Sequence, residues 1–448
     1  MQSVLNIALD IIKTLLIIDV LIFVHELGHF IAAKKVGIKV LRFAIGFGPK
    51  LVGFKKGDTE YCILALPFGG YVKMAGENPA EVAEESPEES EEPEDKKGHF
   101  SMAPVSHRML VAFSGPFMNI VFAVFAIAFA YMIGMPPRLG TEIGYVDSKS
   151  PAQKAGIIPG DKIISIEGYK TRKWDDVREG IAINPEKEIK IVLLRNQTEE
   201  KTVYATPKRV EDTEFGKLGI SPPMDPVISQ VSEGSPAEAT GFRSGDVILK
   251  ASGIPINHVI EIINEIEKLG EQKTMQLAIN RNGEIIDLSL SLETDESGAI
   301  KSLEGLSFGQ MVKLNPISAF GVAIPETIQT GAKIFQFVKK LIYRDVSAKY
   351  VAGPVGIIQI TMSVVKTGLA GILWFAAFFS VNLGILNLLP LFITDGWVLL
   401  MLLIEKVRGQ AISLKRQVFI QQVGIAFFIV LFLLVTYNDI LRLFTSKN

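Results

Sequence analysis

His25-Glu26-Leu27-Gly28-His29 sets two imidazoles four residues apart with a carboxylate beside the first. On a helix both rings share one face and can reach one ion, while Glu26, about 100° around, addresses what that ion binds. Zinc accepts neutral imidazole nitrogens, keeps one position open in its catalytic sites and acidifies water there, and a neighbouring carboxylate can take the proton. The pattern supports metal-assisted hydrolysis, with His25 and His29 as ligands and Glu26 as general base. Two ligands are too few, so a third must come from elsewhere in the chain. The plainer alternative is a chance match on a helix whose histidines snorkel at a membrane surface.

The elements that must position this motif are largely apolar. The 448 residues are 48% hydrophobic yet 21% charged, which places part of the chain in lipid and part in water. A net charge of -2 offers no basic field for nucleic acid, and Cys62, the single cysteine, excludes an intramolecular disulfide and reads as a small buried hydrophobe. The apolar stretch of residues 5–33 is too long and too interrupted for a secretory signal and reads as a retained transmembrane helix. Asp10 and Lys13 can pair near its start, and Asp19, six residues before His25, is expected to hydrogen-bond or face water rather than bind metal. Further spans are expected at residues 105–135, with Gly115 and Pro116 for close helix approach or a local kink and Asn119 bonding across helices, at 369–391 and at 419–435.

Between the first two spans, residues 59–65 and 70–74 flank Pro67-Phe68-Gly69-Gly70 and read as a small sheet. Its open edge can hold an unwound substrate segment by strand addition, or the hairpin can simply shield the site. Residues 77–97 carry ten acidic side chains with prolines and serines, the composition of a disordered insertion. Lys and Arg around the motif and at Lys406, Arg408, Lys415 and Arg416 place those segments in the cytoplasm and the motif nearer that face.

From residue 139 to 293 the chain becomes soluble and repeats itself. Ser150-Pro151-Ala152, Gly156, Gly160-Asp161, Ile163 and Gly168 recur, all displaced by 85 positions, as Ser235-Pro236-Ala237, Gly241, Gly245-Asp246, Ile248 and Gly253. Each copy combines short β-rich runs with one helical stretch and resembles a PDZ domain, which implies peptide binding, a steric filter or a docking surface. An amphipathic helix is expected over residues 326–342. Beyond the third span, Asp395 lies past Asn387-Leu388-Leu389-Pro390, where a carboxylate is costly unless it binds something. It is the candidate third ligand, or else the N-cap of a helix over residues 396–406.

Together the His-Glu-Leu-Gly-His motif, Gly115-Pro116-x-x-Asn119, the tandem PDZ-like copies and Asn-Leu-Leu-Pro followed by Asp395-Gly396 resemble the site-2 protease family of intramembrane zinc metalloproteases. The resemblance covers nearly the whole chain, the acidic insertion excepted. It implies that His25, His29 and Asp395 bind Zn2+, that Glu26 is the base, and that Asn387 and Gly69, Gly70, Tyr71, Val72 and Lys73 hold substrate. It also implies a bacterial inner-membrane enzyme cutting single-span proteins, such as anti-sigma factors or remnant signal peptides, after an earlier cut outside the membrane.

The expected architecture is therefore a multi-pass α-helical membrane protein of about four spans with a small membrane-associated β-sheet, carrying two extracytoplasmic PDZ-like α+β domains. Its segments are 1–76 with the zinc motif and sheet, 77–97 the insertion, 98–136 the second span, 137–210 and 211–295 the PDZ pair, 296–365 a linker with the amphipathic helix, and 366–448 the last two spans. The partners are single-span substrates and the lipid bilayer, with no nucleic acid. One departure from the family pattern stands beside the third ligand: Phe392, Thr394 and Trp397 replace a proline, a leucine and a glycine. A soluble-type metalloprotease on an anchor, or a catalytically impaired scaffold binding peptides through its PDZ pair, are the competing readings.

Overall fold

The first helix, α1 (Gln2–Lys35), has no proline and no glycine before Gly28, and ends on Lys34 and Lys35, which suit the negative end of its dipole. In the computed structural model the described residues are 2–445 apart from 78–96, 137–138, 211–214, 270–273, 294–299, 301–302, 344–352, 354–355, 358–360, 362–363, 365–367, 392–393 and 411–412. Residues 78–96 of the acidic insertion and Phe392 lie outside them, as do the side chains of Asp10 and Lys13. The chain divides into two compact units, residues 1–134 with 313–448, and residues 135–312.

In the first unit, two long strands follow α1: β1 (Val40–Lys56) and β2 (Thr59–Met74). Both pass through a bend, so β1 is used twice. Phe43 faces Tyr61 on one side and Val72 on the other, which leaves Gly70–Met74 as a strand paired only to β1 among the described residues. Gly69 at the bend has φ +94°, a left-handed conformation that suits glycine. Cys62 is buried inside this sheet.

Helix α2 (Val105–Ile133) crosses α1 closely. A Cβ on Gly28 would lie 2.3 Å from the Ser114 carbonyl oxygen, so only glycine permits this approach. Arg108, near the start of α2, donates two bonds to the Glu405 carboxylate, which neutralises both groups where the helices end.

In the second unit the two sequence copies build the same sheet. The first has β3 (Tyr145–Val146), β4 (Lys162–Ile166), β5 (Tyr169–Lys170), helix α3 (Trp174–Ala182), β6 (Ile189–Arg195), β7 (Glu199–Ala205) and β8 (Ile220–Ser221). The second has β9 (Ile228–Val231), β10 (Val247–Ala251), β11 (Ile254–Pro255), helix α4 (Val259–Leu269), β12 (Thr274–Arg281), β13 (Glu284–Ser291) and β14 (Leu306–Phe308). Sheet orders are β5-β4-β6-β7 and β11-β10-β12-β13, with β8 pairing β3 and β14 pairing β9.

The repeated residues turn out to be scaffold. Ser150 and Ser235 cap short helices by accepting the Gln153 and Glu238 N–H groups, and the prolines that follow occupy the first helical turn. Asp161 and Asp246 each take two bonds from an arginine of the third sheet strand, Arg195 and Arg281 respectively, and that arginine also binds a turn carbonyl, Gly156 or Gly241. The two arginines are 86 rather than 85 positions apart, because β12 is one residue longer than β6 and pairs one position later, Asn280 facing Val247 where Leu194 faces Lys162. A fixed 85-residue comparison therefore misses the pair.

Back in the first unit, α5 (Pro316–Ile342) begins ten residues before the expected start. Asn315 supplies the reason, since its side chain accepts the Ser318 N–H and Pro316 suits the first turn. Further helices are α6 (Gly368–Leu388), α7 (Asp395–Arg408) and α8 (Leu414–Thr445). Among the described residues, three segments are long and apolar enough to cross a membrane, at residues 15–35, 105–133 and 368–388. The expected fourth span falls within α8, where part of the side chains lies outside the described set.

Burial works against charge on Asp161, but the bonds from Arg195 and the Ile158 N–H overcome it and hold its pKa below the ordinary carboxylate range. Its contribution to stability is thus fully present above the unfolded value of about 4 and lost as pH falls through the folded value. Arg195→Leu, which strands the fully buried Asp161 carboxylate, is expected to destabilise this unit by about 3 kcal/mol at neutral pH. The deficit should narrow below about pH 4, checked by exchange of the Ile163 and Leu193 amides in the full chain.

Candidate active site

The third turn before the end of α1 brings His25, Glu26 and His29 against α2 and the loop between α6 and α7. His25 and His29 are 7% and 8% exposed, so their polar atoms must be satisfied inside the protein. The His29 Nδ1–H donates to the Val111 carbonyl oxygen at 2.8 Å, which leaves Nε2 with its lone pair free to coordinate. His25 Nδ1 is 3.1 Å from the Asn119 amide, whose Oδ1 is buried without a partner. With that amide turned over, Oδ1 accepts the His25 Nδ1–H and frees the second Nε2 as well.

Asp395 completes the group. Its carboxylate oxygens lie 3.0 Å from His25 Nε2 and 3.4 Å from His29 Nε2, and the two Nε2 atoms are 3.2 Å apart. Donors placed tetrahedrally about 2.1 Å from one zinc ion are about 3.4 Å from each other. The donor set and its spacing therefore fit that ion. The alternative reading of Asp395 as a helix cap is overturned. Thr394 occupies the N-cap position, Asp395 is the first residue of α7, and its carboxylate turns toward the histidines.

Helix proximity makes this convergence possible. A Cβ on Gly115 would sit 2.3 Å from His29 Nε2 and 2.9 Å from His25 Nε2, so α2 must present a bare backbone here. Leu389, Leu391 and Thr394 tighten the break before α7, the Thr394 hydroxyl donating to the Leu389 and Leu391 carbonyls at 2.6 and 2.9 Å. One residue of the departing triplet thus reinforces the turn that delivers Asp395. Trp397 is half-buried and is not among the described lining residues of the site cavity.

That cavity, of about 340 Å³, is lined by His25, Glu26, His29 and Asp395 together with Asn387, Val72, Met74 and Glu77. Glu26 accepts the Val72 N–H at 3.1 Å, and Glu77 accepts the Met74 N–H at 3.2 Å. Asn387 places its amide 3.5 Å from His25 Nε2. Of the five candidate strand residues only Val72 lines the cavity. Gly69 and Gly70 lead into it, while Tyr71 and Lys73 alternate away, Tyr71 taking a bond from Arg42.

Three contributors escape a sequence reading. Asn119 reads as a residue bonding across helices, and it does so, but onto a metal-site histidine. Gly115 belongs to the same Gly-Pro-x-x-Asn signal. Glu77 reads as the start of the acidic run, whereas it closes the cavity beside Met74.

Two imidazoles and a carboxylate on one point, with a second carboxylate adjoining and apolar helices around them, define a metallopeptidase built into a membrane protein. Residues 13–431 match peptidase family M50, and the chain belongs to that family, the site-2 proteases. Regulator of sigma-E protease RseP from Salmonella typhimurium is 31% identical to it over 98% of this chain and 100% of the relative. The Escherichia coli regulator of sigma-E protease RseP is 31% identical over 97% and 99%, and the Bacillus subtilis regulator of sigma-W protease RasP 28% over the same shares. The protein is a metalloprotease.

Gly115→Ala sets a methyl group against the Nε2 atoms of His25 and His29 and is expected to lower zinc content to less than about a tenth of an equivalent, with the protein still folded. Metal analysis beside a melting curve checks it. Asp395→Ala is expected to weaken zinc binding by at least about 100-fold, read by competition with a chelator.

Proposed function

We propose that the chain is a zinc-dependent intramembrane endopeptidase, in which His25, His29 and Asp395 hold Zn2+ and Glu26 is the general base. The observation that carries this reading is the tetrahedral spacing of three donors in a cavity that Val72 and Met74 of an extended strand also line. Zinc, when bound, supplies a Lewis acid that polarises a peptide carbonyl and acidifies water. Glu26, held by the Val72 N–H beside the ligands, takes the proton and passes it to the departing amine. Asn387 stands close enough to direct its amide at a substrate carbonyl.

A transmembrane helix hides its peptide bonds, so a cut requires local unwinding. The strand Gly69-Gly70-Tyr71-Val72-Lys73, paired only to β1 among the described residues, offers an unwound segment the outer backbone groups that Asp19 and Glu26 leave unused, and Val72 brings that segment past the metal group. Substrates of this kind are single-span membrane proteins, anti-sigma factors or remnant signal peptides among them, cut after a first cleavage outside the membrane. The names of the sigma-E and sigma-W protease relatives support this assignment. Two copies of one α+β sheet in residues 135–312 support a PDZ pair that excludes uncut substrates from the periplasmic side of an inner membrane.

Cleavage of a single-span model substrate in detergent, with zinc quantified, tests the reading. Glu26→Gln is expected to lower kcat by at least about 1,000-fold while zinc stays at one equivalent, because the base is removed and the ligands remain. Unchanged activity in that variant refutes the mechanism.

A further inference from the structure

Asp19 is 8% exposed in the middle of a helix that crosses lipid, where an unused carboxylate is expensive. It is used: its Oδ1 accepts the N–H of Gly69 at 2.8 Å, fifty residues on. Glu26 accepts the N–H of Val72 from the same strand at 3.1 Å.

The two carboxylates are seven residues apart on α1, which brings them to within about 20° of the same face and separates them by about 10.5 Å along the axis. The two N–H groups are three residues apart on β2, at most about 10 Å along a strand, and the left-handed bend at Gly69 turns its N–H to the same side as that of Val72. Helix and strand thus match in direction and length over two turns, with Ile22 between the carboxylates against Gly69. A single bond would fix a position and leave the strand free to pivot. Two bonds at this spacing fix its register against the zinc motif.

We infer that Asp19 is a positioning residue of the protease, the far anchor that sets which residue of the substrate-holding strand lies opposite the metal group, and with it which peptide bond is cut. The inference rests on the reading of Gly69 to Lys73 as the substrate strand. It assigns no chemical step to Asp19, which touches the Gly69 backbone and reaches the substrate only through the strand. Glu26 serves both the strand and the chemistry, whereas Asp19 serves the strand alone, so the two functions can be separated by mutation.

The test uses the full chain in detergent, a single-span model substrate whose products are located by mass spectrometry, and amide exchange over Gly69 to Val72. Asp19→Leu keeps the branched outline of the side chain, somewhat enlarged, and removes the acceptor. Expected are exchange at least about tenfold faster, a KM raised about tenfold with kcat within about twofold, unchanged zinc content, and cuts spread to neighbouring peptide bonds. Asp19→Asn retains an acceptor oxygen and should restore the single cut and the low KM. Where the leucine variant does not fold, Asp19→Ser, whose hydroxyl is too short for Gly69, takes the same measurements. Unchanged exchange in Asp19→Leu or Asp19→Ser overturns the anchor. Faster exchange with the original cut and KM refutes the substrate strand instead, and leaves the zinc site as proposed.

Discussion

The structure depends on bringing a carboxylate from one end of the chain to two imidazoles from the other inside an apolar helix group. Asp395 and the histidines lie 3.0 and 3.4 Å apart across some 370 residues of sequence. In a low-dielectric setting such a group is tolerable only when its ring nitrogens and carboxylate find partners. Val111 and Asn119 engage the outer ring nitrogens, and Thr394 ties down the turn that carries Asp395. The glycines follow from the same demand, since Gly28 and Gly115 let two backbones close to a distance that side chains forbid.

A second constraint acts between α1 and the sheet. The strand beside the cavity has N–H groups at Gly69, Val72 and Met74 facing away from β1, and in a membrane setting these need acceptors. Asp19, Glu26 and Glu77 meet that need. One helix therefore carries both the metal-binding motif and most of the apparatus that holds the strand next to it. Residues that are expensive in lipid are here spent on geometry.

The second unit, residues 135–312, obeys a different economy. Its repeated Ser-Pro-Ala and Gly-Asp steps build caps, turns and buried ion pairs, and its cores gather around Ile163, Ile191 and Leu193 in one copy and Ile248, Leu277 and Ile279 in the other. The repetition that makes the pair visible in sequence thus reports scaffold, and the residues that would select a peptide must be those in which the copies differ.

Local chemistry determined what could be read from sequence alone. Four-residue spacing identified the ligand pair and Glu26, hydropathy marked the apolar spans, and a constant offset revealed the repeat, because each is a property of neighbours along the chain. The sequence also pointed to Asp395, from the cost of a carboxylate beside an apolar run, but left open whether it capped a helix or bound metal. Only the tertiary structure set its carboxylate beside the imidazoles, and with it the bonds of Asn119 and Val111 to the rings, the place of Glu77 and the grip of Asp19 on Gly69. These contacts join residues separated by fifty positions or more, Glu77 excepted, and nothing in residue type or spacing specifies which distant backbone a buried polar group will meet. That choice belongs to helix packing.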